Sequence, residues 1–160
     1  MGKVSIIMGS QSDLQTVQEA INILKEFKVN FEAKVLSAHR TPKELVKYIE
    51  GAPSRGVKVF IAAAGMSAAL AGVIAAHSIL PVIGIPIETK NLKGLDSLLS
   101  TVQMPPGIPV ACMAIGKAGA KNSAIFALEI LATQDKKIQD KLFSYKKAMA
   151  SKIKKARLKI

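Results

Sequence analysis

The chain has 160 residues, 49% of them hydrophobic, with no Trp, a single Cys and a formal net charge of +12. That length suits one domain with a large core, and the lone Cys112 excludes an internal disulfide or a thiolate-rich metal site and fits a reducing cytoplasm. From Lys136 to the end there are ten Lys and Arg against one acid, a net of +9, so the basic excess belongs to the tail and does not by itself indicate a nucleic-acid protein.

Lys3 to Met8 reads as a short strand. The loop GSQSD follows, then a helical pattern carried by Leu14, Val17, Ala20, Ile21 and Leu24. Phe31 to Leu36 forms the second strand, and Pro42 suits the first turn of a helix that runs to about Pro53. Val57 to Ala63 is almost wholly apolar, as a strand covered on both faces must be. An Ala-rich helix from about Ser67 to His77 comes next, and Pro81 to Ile85 gives a fourth strand. Gly94 to Val102 reads as a short helix and Val110 to Ile115 as a fifth strand, with Cys112 as a buried, inert thiol. A strong Ala/Ile/Leu helix follows from about Lys117 to Thr133.

The final segment, 135–160, is a basic helix whose seam is Ile138, Leu142, Tyr145, Met149, Ile153 and Leu158, a face suited to docking on its own or a neighbouring subunit. No stretch reaches the ~18 apolar residues of a membrane span, and the N-terminal apolar run is too short for a signal peptide. The chain therefore reads as one soluble, cytoplasmic α/β domain, 1–160. Strands alternating with helices imply a three-layer fold of flavodoxin or Rossmann type with a parallel sheet.

Ligands of such sheets bind beyond the carboxyl ends of the strands. The chemically informative loops fall there: GSQSD, SAHRTP, GMSAA and GIPIETKNLKG. A shared rim would gather Ser10, Ser12, Asp13, Ser37, His39, Arg40, Gly65 and Ser67. Helix-start N–H groups suit an anion, and a guanidinium adds a forked contact to phosphate. Each signal also has a plain structural reading. GSQSD lacks nucleotide-loop spacings and serves as a helix cap through Ser12 or Asp13. His39 would be a surface histidine, Arg40 the partner of a nearby acid, and His77 a helix C-cap or interface group.

The stretches IIMGSQSD, LSAHRTP, PVIGIPI, LKGLDSLLSTVQMPPGIPVA and AIGKAGAKNSA, in this order, resemble the catalytic subunit of phosphoribosylaminoimidazole carboxylase. Class I members of that purine-biosynthesis family are N5-carboxyaminoimidazole ribonucleotide mutases. The resemblance implies a flavodoxin-like domain in a homo-octamer, a ribonucleotide substrate, no cofactor and no metal. It also implies that Ser10, Asp13 and Arg40 hold the ribose phosphate, that His39 transfers protons, and that Ser37, Gly65 and Leu70 line the pocket, which the shared rim would extend to Ser67. Class I members read GGAAHLPG after the third strand. Here that loop is GMSAALAG, with Ala69 at the histidine position, Ala71 at the proline position and a Ser67 like that of the class II carboxylase branch. The alternatives are therefore a class II enzyme using CO₂ directly and a non-catalytic flavodoxin-like nucleotide-binding module.

Overall fold

The computed structural model describes residues 2–157. Five strands, β1 (Lys3–Met8), β2 (Phe31–Val35), β3 (Val57–Ala64), β4 (Val82–Pro86) and β5 (Ala111–Cys112), alternate with α1 (Leu14–Glu26), α2 (Pro42–Glu50), α3 (Leu70–Ala76), α4 (Leu95–Val102) and α5 (Gly116–Ala132). A last helix, α6, spans Lys136–Lys155. All strand pairs are parallel and the spatial order is β2-β1-β3-β4-β5. This is the flavodoxin-like order, in which the connections diverge on either side of the line between β1 and β3.

The two-residue period of the strands sorts the core onto two faces. Val59, Ile61 and Ala63 of β3 join Val4, Ile6 and Met8 of β1 in packing against α1 and α5. Phe60 and Ala62, with Ile7 of β1, face Leu45 and Ile49 of α2 and Leu70 and Ile74 of α3. The helices follow from the same logic at a period of about 3.6 residues. Val17, Ala20, Ile21 and Leu24 are the buried stripe of α1, and Ala120, Ala124, Ala127, Leu128 and Leu131 that of α5. Alanines at these positions bring α1 and α5 close together, which is how a chain poor in aromatics closes its core.

Helix α6 begins with Asp135, whose carboxylate accepts the N–H groups of Lys137 and Ile138. Ile138 and Leu142 are buried, Tyr145 meets Phe27 edge-on at 5.7 Å, and Lys141 Nζ donates to the Phe27 carbonyl at 2.6 Å. Beyond Tyr145 the seam leaves the domain: Met149 and Ile153 are exposed. Leu158 lies outside the described residues. No helix among the described residues is long and apolar enough to cross a membrane.

Several expected boundaries move. Helix α2 ends at Glu50 instead of Pro53, because Pro53 opens a separate single turn of 3₁₀ helix. Helix α3 starts at Leu70 instead of Ser67, and β5 shrinks from the expected Val110 to Ile115 to two residues at the sheet's edge. Cys112 is therefore only half-buried, and burial still pushes its thiol up from the ordinary value, away from the reactive thiolate.

At the other edge, the outer strand β2 carries Glu32 in a polar cluster. Its carboxylate takes Arg55 in a forked contact at 3.0 and 3.2 Å and accepts the Tyr48 hydroxyl at 2.6 Å and Lys3 Nζ at 3.4 Å. Arg55 also lies over the Tyr48 ring, 4.2 Å from its centroid. Burial pushes the Glu32 carboxyl up, but the hydrogen bonds and charge of Arg55, with those of Tyr48 and Lys3, outweigh it and hold the group at about 2.

Candidate active site

Four strands end level with one another, since Met8 pairs with both Val35 and Ala63, and Ala64 pairs with Pro86. The ladder runs one step further into each loop: Leu36 N–H donates to Met8, Gly9 to Ala63 and Ile87 to Ala64, all at 2.9 Å. The loops after β1, β2, β3 and β4 therefore leave a rigid edge together and enclose a cleft of about 770 Å³. It lies where the fold reverses direction between β1 and β3. Ser10, Ser12, Asp13, Ser37, His39, Arg40, Gly65, Ser67 and Leu70 all line it.

The first loop is a single turn of 3₁₀ helix, Gln11–Asp13, closed by a reciprocal cap. Ser10 Oγ accepts the Ser12 N–H at 3.3 Å, and Asp13 Oδ2 accepts the Ser10 N–H at 3.0 Å. The capping side chain is thus Ser10, not Ser12 or Asp13 as expected. Asp13 occupies the N-cap position of α1 without bonding to it, because its carboxylate is already engaged with Ser10. Burial pushes the Asp13 carboxyl above its ordinary value, opposed by the Ser10 N–H, the Ser12 hydroxyl and the positive charge of Arg40.

The second loop is a tight turn built on Ser37. Its carbonyl accepts the Thr41 N–H at 2.9 Å, its own N–H donates to Thr41 Oγ1 at 2.9 Å, and its hydroxyl accepts from Arg40 N at 3.2 Å and Nε at 3.4 Å. His39 and Arg40 stand at the apex, both exposed. Arg40 forms no ion pair with an acid among the described residues. Its Nη2 donates to the Gly9 carbonyl at 2.9 Å, which ties the second loop to the first at the edge of the cleft that Arg40 lines. The His39 side chain forms no hydrogen bond among the described residues, and the residue lines the cleft beside Arg40.

The third loop contains Met66 in the left-handed region at φ 60° and carries Ala69 and Leu70 on its cleft side. The fourth contributes Ile87, Glu88 and Thr89. These three are not singled out by the sequence, where only the loop as a whole is marked by its place after a strand.

A second hollow, about 890 Å³, opens at the opposite end of the sheet, beside the start of β4. It is lined mainly by apolar side chains such as Ile79, Ile108 and Phe126, with His77, the C-cap residue of α3, at its side. It offers no converging set of anion donors, whereas the smaller cleft combines a guanidinium, an imidazole, hydroxyls and backbone N–H groups. The latter is therefore the candidate active site. No group of three or more His, Cys, Asp or Glu able to hold a metal ion occurs among the described residues.

Residues 3–152 match the AIR carboxylase family. The chain is 55% identical over 149 residues to the N5-carboxyaminoimidazole ribonucleotide mutase of Pyrococcus abyssi, covering 93% of this chain and 84% of that protein. It is 49% identical to the mutase of Saccharolobus solfataricus, covering 99% of each, and 47% identical to that of Escherichia coli K12, covering 94% and 89%. The crystal structure of Treponema denticola PurE superposes with a TM-score of 0.87 at 30% identity, covering 96% of this chain and 94% of that one. A flavodoxin-like sheet, a polar cleft at its switch point and sequence identity across nearly the whole chain agree, and the chain belongs to the AIR carboxylase family.

Proposed function

We propose that this protein is an N5-carboxyaminoimidazole ribonucleotide mutase of purine biosynthesis, an isomerase that moves a carboxyl group from the exocyclic amine of its substrate to ring carbon C4. The relatives that match it over most of their length carry that name. The observation that carries the reading is the pairing of His39 with Arg40 on one hydrogen-bonded turn, both facing a cleft whose far walls are loops 1, 3 and 4.

The cleft suits a bound phosphate at one side and proton transfer beside it. Arg40, with the donors of the GSQSD loop, holds the ribose phosphate; Asp13 keeps that loop in shape by accepting the Ser10 N–H. The reaction breaks the N–C bond of the carbamate, and the amine nitrogen gains a proton as CO₂ departs. C4 then bonds to CO₂ and loses its own proton. His39 delivers the first proton and removes the second, a task for which imidazole is the suitable side chain near neutral pH. Ser37, Gly65, Ser67 and Leu70 confine the ring and the transient CO₂. No step calls for a metal or an organic cofactor. We place the enzyme in the cytoplasm as a homo-octamer, in which the exposed end of α6 packs on another subunit.

The test is to supply the purified protein with N5-carboxyaminoimidazole ribonucleotide in bicarbonate-free buffer and, separately, with aminoimidazole ribonucleotide and bicarbonate. Efficient C4 carboxylation in the first arm supports the mutase. Turnover confined to the second arm rejects it in favour of direct carboxylation, and binding without turnover in either makes the protein a nucleotide-binding module.

A further inference from the structure

The motif Gly94-Leu95-Asp96-Ser97 lies at the start of α4, outside the substrate-contacting set. Ser97 is nevertheless fully buried, and its hydroxyl makes two long-range contacts. It accepts the backbone N–H of Met66 at 3.0 Å and donates to the carbonyl of Ile87 at 2.8 Å. Met66 belongs to the loop after β3 and Ile87 to the loop after β4, so one hydroxyl joins two walls of the cleft.

The joined backbone is under strain. Met66 holds φ 60°, which a side chain with a Cβ rarely adopts, and its side chain is 70% exposed, so apolar burial does not hold it there. What holds it is α4: Ser97 at the N–H and, more weakly, Ser100 Oγ at the carbonyl, 3.4 Å away. The neighbouring residues fix the other wall. Thr89 Oγ1 donates to Asp96 Oδ1 at 2.8 Å and accepts the Gly94 N–H at 3.1 Å. Gly94 sits at φ 89°, where a Cβ would meet Ile87 and Glu88 backbone atoms at 3.2 to 3.3 Å. Both loops are thus referenced to one helix end.

We propose that Ser97 is a positioning residue that holds the Gly65–Ser67 loop against the Ile87–Thr89 loop, so that CO₂ released in the cleft is recaptured at C4 instead of escaping. This rests on the mutase reading, and it extends that reading to a residue that does not touch the substrate. Losing CO₂ leaves a different product: the carbamate nitrogen is protonated, the ring keeps its C4 hydrogen, and aminoimidazole ribonucleotide is released. A loosened loop therefore changes the ratio of C4-carboxylated to decarboxylated product, whereas simple loss of folded protein lowers both together.

The experiment measures that ratio from N5-carboxyaminoimidazole ribonucleotide for the wild type, Ser97→Ala, Ser97→Cys and Thr101→Val, after subtracting enzyme-free decarboxylation. Thr101 is the control: it is buried on the same helix, and its hydroxyl donates to the Ser97 carbonyl and to no loop of the cleft among the described residues. Loss of a buried hydrogen bond predicts a ratio lowered about five-fold or more in Ser97→Ala, with KM for the ribonucleotide little changed. Ser97→Cys preserves the shape with a poor hydrogen-bonding atom and serves if the alanine variant does not fold; it shifts the ratio in the same direction. Thr101→Val lowers Tm but leaves the ratio alone. Hydrogen exchange at the Met66 amide gives a readout independent of turnover, faster in both Ser97 variants and unchanged in Thr101→Val. A wild-type ratio in a folded Ser97 variant, or an equal shift in Thr101→Val, overturns the proposal. A wild type that forms no C4-carboxylated product fails the mutase reading itself, a result distinct from either, and the proposal falls with it.

Discussion

Replacing Arg40 by Ala removes the cleft's fixed cation and its tether to Gly9 but leaves the Ser37 turn in place, because that turn is closed by backbone and Thr41 contacts that do not involve the guanidinium. Nη2 is committed to the Gly9 carbonyl at 2.9 Å and Nε reaches Ser37 Oγ at 3.4 Å, so the remaining donors approach a ligand from a restrained side chain. Charge-assisted hydrogen bonds contribute about 1.5–3 kcal/mol each. Arg40 is exposed, and solvent screening reduces a two-pronged phosphate contact to about 2–3 kcal/mol. That corresponds to a Kd raised about 30- to 150-fold. Arg40→Lys keeps the charge but loses the fork and the Gly9 tether, and should cost about ten-fold. The assay is calorimetric titration with aminoimidazole ribonucleotide and, in parallel, with its unphosphorylated nucleoside. Arg40→Ala should weaken the first and spare the second. If both ligands weaken equally, or the ribonucleotide binds within about three-fold of wild type, the phosphate assignment is wrong.

His39→Asn should leave the ribonucleotide Kd near the wild-type value and reduce kcat by about 10²- to 10⁴-fold, the usual share of a positioned acid–base group; wild-type turnover in that variant would refute the role. Glu32→Gln tests the polar cluster at the β2 edge. Because the folded-state pKa is depressed from the ordinary 4.5 to about 2, the carboxylate adds stability that is complete above about pH 5 and is lost as pH falls toward 2. After discounting for solvent at the partly exposed Lys3 and Arg55, the wild type should exceed the variant by about 1–2 kcal/mol at pH 7. Urea melts should converge near pH 2, and a pH-independent gap contradicts the assignment. Gly119→Ala should destabilise by about 1–3 kcal/mol or more, since an added Cβ would overlap the Ala114 carbonyl in the turn entering α5; an unchanged Tm rules out that close approach.

Local patterns reveal most of the fold. Alternation and apolar runs mark β1 to β4 to within a residue or so at each end, and Pro42 marks the start of α2. The site's loops are legible for a related reason: in a parallel sheet, every strand's carboxyl end is a predictable place, so GSQSD and SAHRTP fall on one rim before any contact is known. Failures occur where a distant residue decides. Helix α3 begins late because Met66 stands in the left-handed region with its N–H held by Ser97, which lies 31 residues along the chain from it. The expected cap at Ser12 or Asp13 gives way to Ser10 because the Asp13 carboxylate turns back to the Ser10 N–H in a reciprocal cap that composition does not encode. Strand β5 is cut short beside Pro109, and Cys112 is half-exposed because only one neighbour, β4, covers it. Ser97 itself left one clue, a small polar residue at a buried position of an otherwise leucine-rich helix, but its partners lie in two other loops.

The two borders of the sheet also shape how copies of the chain can meet. One is a strand of only two residues, Ala111 and Cys112, and the other presents Glu32 and Lys34 among its five. Short or charged borders discourage a further chain from joining by main-chain pairing, the usual route from an apolar α/β protein to fibrils. Exposed apolar side chains lie instead on helical ridges, such as Met149 and Ile153 of α6, where main-chain pairing is not available. The protein can thereby remain rich in aliphatic surface without inviting indiscriminate growth.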